Sequence, residues 1–331
     1  MTREVIVIAK RLRKLSVTQQ IMQDLYKTQE IREHNLTRNQ YLRIAKRFVQ
    51  YCRQEFDCRT YEECRLHIQD YADQLRNDGY TASTIHTYIA ACSSCWSCKM
   101  SDFKIPIRYT SEYIRGRNSE VNPIKTNDLN NVLDYSDLLR IQRAVGLRRS
   151  ELMRLTGDDI MQDENGYWVV RSKINKGGKR NQTNRINRDE DVEYIKNYFA
   201  KFAPDEKVFK SDLFKNKLNL HRLRAESAKE FYDIQIQKLK ENPEYIHQIE
   251  KEIIDRWNKY NIDPKTGKPK HLDPKKYTGY LYLRGRNKKF ALENNLPTKY
   301  LKSVLLLTSI VKLSHWRTDV VCASYVGAAY K

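Results

Sequence analysis

The chain has 331 residues, with 61 Lys and Arg against 41 Asp and Glu, and a formal charge of +20. Its apolar fraction of 40% and aromatic fraction of 11% are enough to fill the cores of about two domains, which excludes a disordered chain. The longest apolar stretch, 303–311, falls short of the roughly 20 residues of a spanning helix, and the start MTREVIVIAKRLRK lacks a secretory apolar region, so a cytoplasmic protein with no membrane partner is expected. Seven cysteines, an odd number, also argue against a closed disulfide framework and for the cytosol.

In chain order, the first helix is predicted near 18–31, with Ile21, Met22 and Leu25 inward. Tyr41, Ile44, Ala45, Phe48, Val49 and Cys52 recur at helical spacing and predict a second. Thr60 with Glu63 three residues on is a capping box, opening a helix that buries Tyr61, Cys64, Ile68, Tyr71, Ala72 and Leu75 and stops at Gly79. Another helix covers about 83–98, with Ile85, Tyr88, Ile89, Cys92 and Trp96 inward. These segments form a helical domain over 1–105. The outward positions of its second helix, Arg43, Lys46 and Arg47, with Arg38 and Arg53, are candidate DNA contacts. Residues 106–125 lose periodicity and read as a linker.

The second domain spans 126–331. Helices are expected over 127–142 and 149–157. After the turn DENG, the β-branched and aromatic run 167–174 reads as a strand, NKGGK at 175–179 as a hairpin turn, and 184–186 as a short return strand. The rest is mostly helical, with a charged helical stretch at 228–260 and a Lys-rich loop at 264–276. The fold class is therefore mainly α with a small antiparallel β-sheet. The charge excess is +6 over 1–120 and +14 over 121–331, a spread that suits contact with a long polyanion such as double-stranded DNA.

Four segments carry candidate chemistry. GLRRSE (146–151) sets Arg148 at a helix start, with Glu151 placed to brace its guanidinium. The hairpin tip offers Lys176, with Lys173 and Lys179 as rivals. HRLR (221–224) puts His221 and Arg224 on one helical face. LSHWRTDVVCASYV (313–326) holds His315 and, ten residues on, Tyr325.

In this order the segments resemble the tyrosine recombinase (phage-type integrase) family, whose signature is Arg, hairpin Lys, His-x-x-Arg, His or Trp, then Tyr. HWRTDV is similar to integrases of bacterial mobile elements, and GYTASTIHTYIAAC to the family's core-binding domain. The resemblance implies Arg148, Lys176, His221, Arg224, His315 and Tyr325 as catalytic residues, with Glu151 in support and Lys179 among the DNA contacts. It implies strand exchange through a 3′-phosphotyrosyl intermediate, in a homotetramer on double-stranded DNA, with no cofactor and no metal. Arg224 and His315 are farther apart than in compact members, which implies an insertion at about 232–290 lying outside the catalytic core. Ser314 stands where a glycine usually precedes the histidine. The gap to Tyr325 is one residue longer than the commonest spacing, and Tyr330 is the rival nucleophile. A type IB topoisomerase, a telomere resolvase or a catalytically inactive DNA-binding regulator are the alternatives.

Cys92, Cys95 and Cys98 form CxxCxxC, with Cys52, Cys58 and Cys64 upstream. Spacing of three drifts across a helix face and no known zinc pattern is completed, so these are read as packing thiols.

Overall fold

The structure, a computed structural model, describes residues 16–28, 36–108, 135–174, 180–215 and 218–326. The chain divides into two compact units, Met1–Arg108 and Tyr109–Lys331, at a point inside the segment expected to be a linker. The described residues are mainly helical with two small antiparallel sheets, one more sheet than the sequence suggested.

The first unit is built from α1 (Val17–Thr28), α2 (Leu36–Phe56), α3 (Tyr61–Leu66), α4 (Ile68–Asn77) and α5 (Ala82–Cys95). Its core gathers the faces that periodicity assigned: Ile21 and Leu25 from α1, Ile44, Phe48, Val49 and Cys52 from α2, Ile68 and Leu75 from α4, and Ile85 and Ile89 from α5. Phe48 meets Trp96 edge to face with centroids 5.0 Å apart, and Tyr61 stacks on Trp96 at 5.2 Å. The capping box forms: Thr60 Oγ1 accepts from Glu63 N at 3.2 Å, and Glu63 accepts from Thr60 N at 3.3 Å. The single helix expected to follow is in fact two. The chain breaks step at His67, whose Nδ1 bonds Asp70 Oδ2 at 2.9 Å and whose ring stacks on Phe56. These side-chain attachments hold His67 outside the helical register, a tertiary effect that no local pattern announces.

In the second unit, α6 (Ser136–Val145) ends at Gly146, whose φ of 72° is the left-handed conformation a helix C-terminus asks of glycine. A Cβ there would also lie 3.0 Å from Ser227. The very short α7 (Arg149–Leu152) follows, then β1 (Ile160–Gln162), β2 (Trp168–Ile174) and β3 (Arg180–Arg185), paired antiparallel in that order with Val170 opposite both Ile160 and Asn184. α8 (Asp189–Phe199) carries three acidic residues in its first turn, which suits the helix dipole. Next come α9 (Leu220–Glu241), α10 (Tyr245–Tyr260), β4 (Tyr280–Tyr282), α11 (Gly285–Glu293), β5 (Lys299–Leu301), α12 (Lys302–Val311) and α13 (Thr318–Val321), which runs into a π turn over Cys322–Val326. β4 and β5 form the second sheet. Every residue of α12 from Ser303 to Val311 is buried, so it is the central helix of this unit.

The segment 232–290 does not lie outside the core, as expected from the long gap between Arg224 and His315. α9 runs unbroken through residue 232, and α10 packs on α12 with Ile249 and Ile253 buried in the same cluster as Tyr325. Its Arg256 and Glu252 reach the first sheet and the turn before β2, pairing with Asp163 at 2.7 Å and with Arg185. The apolar stripe Ile249–Ile253–Trp257 was masked in the sequence by the charges around it, yet burying it is what fixes α10 in place. The Lys-rich stretch 265–271 is exposed.

Candidate active site

The site lies wholly within the second unit and is assembled at the junction of α6, α7, α9 and α12. Arg148 sits at the start of α7, half-buried. The Glu151 carboxylate accepts from the Arg148 guanidinium at 2.6 Å and from its backbone N at 2.7 Å, so one buried acid sets both the side chain and the helix start. The Glu151 oxygen that accepts from the backbone N–H also lies 3.6 Å from Arg224. Arg224, one turn into α9, is 1% exposed. It donates to Gly146 O at 2.6 Å and to Leu313 O at 3.0 Å, which ties the Arg148 loop to the His315 loop. Burial pulls its guanidinium below its usual pKa, and the nearby Tyr325 hydroxyl works the other way. Its Nε is buried with no hydrogen-bond partner among the described residues.

Tyr325 is brought in by the π turn and is 9% exposed. The ring of His221 meets it edge-on with centroids 5.7 Å apart, and that of His315 lies 6.4 Å away. The π turn, with its i→i+5 bonding, holds more residues per turn than an α turn does. Tyr325 is the fourth of its five residues. Ser314 adopts φ 57°, the left-handed region that glycine enters without cost, and this explains why a glycine would be at home there. The Ser314 hydroxyl, 3.3 Å from Asn184 Oδ1, holds the position.

The tautomer of His315 follows from its neighbour. Ser309 has one hydroxyl proton, which it donates to the His315 carbonyl, while it accepts from Arg317 N at 3.0 Å. Its remaining contact, 2.7 Å to His315 Nδ1, then requires that nitrogen to carry the proton. Neutral His315 thus offers Nε2 as an acceptor, and it donates from Nε2 only when protonated.

Five of the six expected catalytic residues, Arg148, His221, Arg224, His315 and Tyr325, are gathered here with Glu151. Lys176 and Lys179 lie in 175–179, between β2 and β3, outside the described residues; Tyr330 is outside them too. Lys173, a rival to Lys176, is committed elsewhere: its ammonium donates to Asp158 at 2.7 Å and to Thr156 at 2.8 Å, and this holds the Asp158 carboxyl down at about 2. In the first unit Arg43 and Lys46 are exposed on α2, as is Arg47, whose guanidinium donates to Tyr88 Oη at 2.6 Å. Arg38 and Arg53 are half-buried.

Three buried polar residues that sequence reasoning passed over frame the site. Gln142 accepts from Leu147 N at 3.0 Å and donates to Leu147 O and Leu220 O, both at 2.7 Å, linking the Arg148 loop to the start of α9. Asn184 donates to Lys312 O at 2.6 Å and to Val145 O at 3.3 Å. Lys312, wholly buried, donates to Ala144 O at 2.9 Å and Arg185 O at 2.6 Å; burial holds its amine well below its usual pKa. A polar residue closing or interrupting an apolar run was the available signal. Comparison with protein-family models, with curated proteins and with solved structures finds no match. No helix among the described residues is long and apolar enough to cross a membrane.

Proposed function

We propose that this chain is a site-specific DNA recombinase that cuts and rejoins duplex DNA through a 3′-phosphotyrosyl intermediate. The observation that carries the reading is Tyr325, nearly buried beside the buried Arg224 guanidinium, with two imidazoles supplied by distant segments around its ring. A buried phenol is usually explained by packing, but packing gives no reason to seat it against an arginine–glutamate cluster. A phosphodiester does: its oxygens gather negative charge as the nucleophile arrives, and guanidiniums fixed in advance stabilise that charge without reorganising.

In this reading Arg148, oriented by Glu151, and Arg224 hold the non-bridging oxygens. The Tyr325 oxygen attacks phosphorus, its proton passing to His221, and the bond from phosphorus to the 5′ oxygen breaks. The leaving 5′ oxygen takes a proton from Lys176. His315, protonated, donates from Nε2 to a phosphate oxygen. A 5′ hydroxyl of a partner strand reverses the attack and releases the tyrosine, so the bond energy is kept throughout. The homotetramer on DNA and the DNA-contacting role of Arg43, Lys46, Arg47 and Lys179 are parts of the same proposal.

A duplex nicked just beyond the scissile phosphate traps the covalent species, because the short 5′ fragment diffuses away. The expected result is a denaturant-resistant protein–DNA adduct mapping to Tyr325. A DNA-binding regulator gives no adduct, and an adduct at another residue overturns the assignment. Relaxation of supercoiled DNA without exchange between two sites marks the topoisomerase alternative.

A further inference from the structure

The cysteines of the first unit, read in sequence as packing residues, are arranged in a way that the recombinase reading does not use. The CxxCxxC triplet is not what converges. The thiols that meet are Cys52, Cys58 and Cys64, whose sulfurs all lie within 4.8 Å of one another. They come from three separate pieces of chain: the last turns of α2, the connection after it, and α3. Cys52 and Cys64 are 0% exposed and Cys58 is 3%.

The end of α2 brings two of them together. Asp57, the residue after the helix, takes φ 48°, the left-handed conformation in which helices commonly end and which aspartate tolerates, and so turns the chain back on α2. Cys58 N then donates to Cys52 O at 3.3 Å, and Cys52 Sγ points at Cys64 O, 3.9 Å away. Apolar packing asks only for volume. It does not ask that three sulfurs from separate pieces of chain meet at one point. A tetrahedral ion with Zn–S bonds of about 2.3 Å separates its sulfurs by about 3.8 Å, which this triangle reaches with side-chain shifts below about 1 Å.

We propose that Cys52, Cys58 and Cys64 form a structural site for a thiophilic divalent ion, Zn²⁺, within the helical unit. Each Zn–S bond replaces an S–H bond, the proton passing to solvent, and no electron is transferred. The three sulfurs leave the fourth position of a tetrahedral ion to water. The ion would clamp the six-residue α3 and the turn before it onto α2, a stretch otherwise held by the Thr60 capping box and few buried side chains.

The test uses the full chain, purified reduced and without chelator. Metal analysis is expected to find about one Zn²⁺ per chain. Replacing it by Co²⁺ should give the near-ultraviolet thiolate-to-cobalt charge-transfer band. Cys58→Ala should lose both at least tenfold, and Cys98→Ser should keep both. Should Cys58→Ala fail to fold, the wild-type cobalt band decides alone, since its intensity counts the bound sulfurs. A reduced wild-type chain that takes up neither ion stoichiometrically overturns the proposal. So does a cobalt band that survives in the triple Cys52→Ala, Cys58→Ala, Cys64→Ala chain, or a native disulfide between any two of the three.

Discussion

The two units bury very different things. Among the described residues of the first, Ser93 alone represents polar or charged side chains in the buried set; the rest of its core is aliphatic, aromatic and thiol. The second buries Glu151, Asp159, Arg185, Arg224, Arg256 and Lys312, together with Gln142, Asn184 and several hydroxyls. Burying a charge costs several kcal/mol before its partners recover any of it. A core built only for stability would avoid such groups, as the first unit does. In the second, these groups are paired with one another or with backbone carbonyls, Glu151 and Arg224 beside Tyr325 and Arg185 and Arg256 with Glu252 and Asp163. One unit keeps its charges outside; the other pairs several of them inside.

Substitutions can break that contrast, and the largest effect is expected at Tyr325, the proposed nucleophile. Tyr325→Phe removes one hydroxyl, so DNA binding should persist while adduct formation on the nicked duplex falls below detection; an adduct in this variant would overturn the chemistry. Arg224→Met leaves two buried carbonyls without their donor and Glu151 with Arg148 alone, and should destabilise the second unit by about 3–5 kcal/mol, read by urea denaturation. In the first unit a comparable loss of about 3–5 kcal/mol needs the deletion of a large apolar group, as in Phe48→Ala. If Arg224→Met instead left stability unchanged, the internal charges would not be what holds the second unit together.

Lys312 gives a pH signature. Its folded pKa is depressed, so below about 10.4 the unfolded chain binds the extra proton, and stability should rise with pH across the interval from the depressed value up to about 10.4. Lys312→Met should remove that contribution, at most about 1.4 kcal/mol per pH unit, from the difference between the two stability profiles. The two backbone carbonyls it serves match the two N–H bonds of a neutral amine. Smaller still is the cap of α5: Thr81 accepts from Thr84 N at 3.3 Å, and Thr81→Ala should cost about 1 kcal/mol. Last, replacing Arg43, Lys46 and Arg47 by Ala should leave folding intact and lower the salt slope of DNA binding by about 3, roughly 0.9 for each phosphate that a removed cation had neutralised. An unchanged slope would remove α2 from the DNA surface.

What was legible in the sequence follows the same division. The faces of α2, α4 and α5 were readable because apolar packing leaves a 3.6-residue rhythm, and β2 because its residues are β-branched and aromatic. The order of Arg148, His221, Arg224, His315 and Tyr325 was readable, but their meeting was not. Their contacts span most of the second unit, and no local pattern encodes such distances. Gln142, Asn184 and Lys312 were missed for a related reason. A polar residue beside an apolar run reads as an edge, whereas here each is an interior tie whose partners are backbone atoms. The break at His67, the core role of α10 and the convergence of Cys52, Cys58 and Cys64 also depend on tertiary contacts.

The tie made by Lys312 has a consequence for how the protein comes into being. Its amine reaches Ala144, 168 residues earlier in the chain, and its own carbonyl is held by Asn184, 128 residues earlier. Translation proceeds from the amino end, so both arginines and the first sheet emerge well before the segment that closes on them. Until α12 and the loop after it arrive, the growing polypeptide has its guanidiniums but no phenol beside them. A product truncated in that interval has the guanidiniums without the phenol, so the order of synthesis itself leaves the cluster incomplete until the second unit is finished.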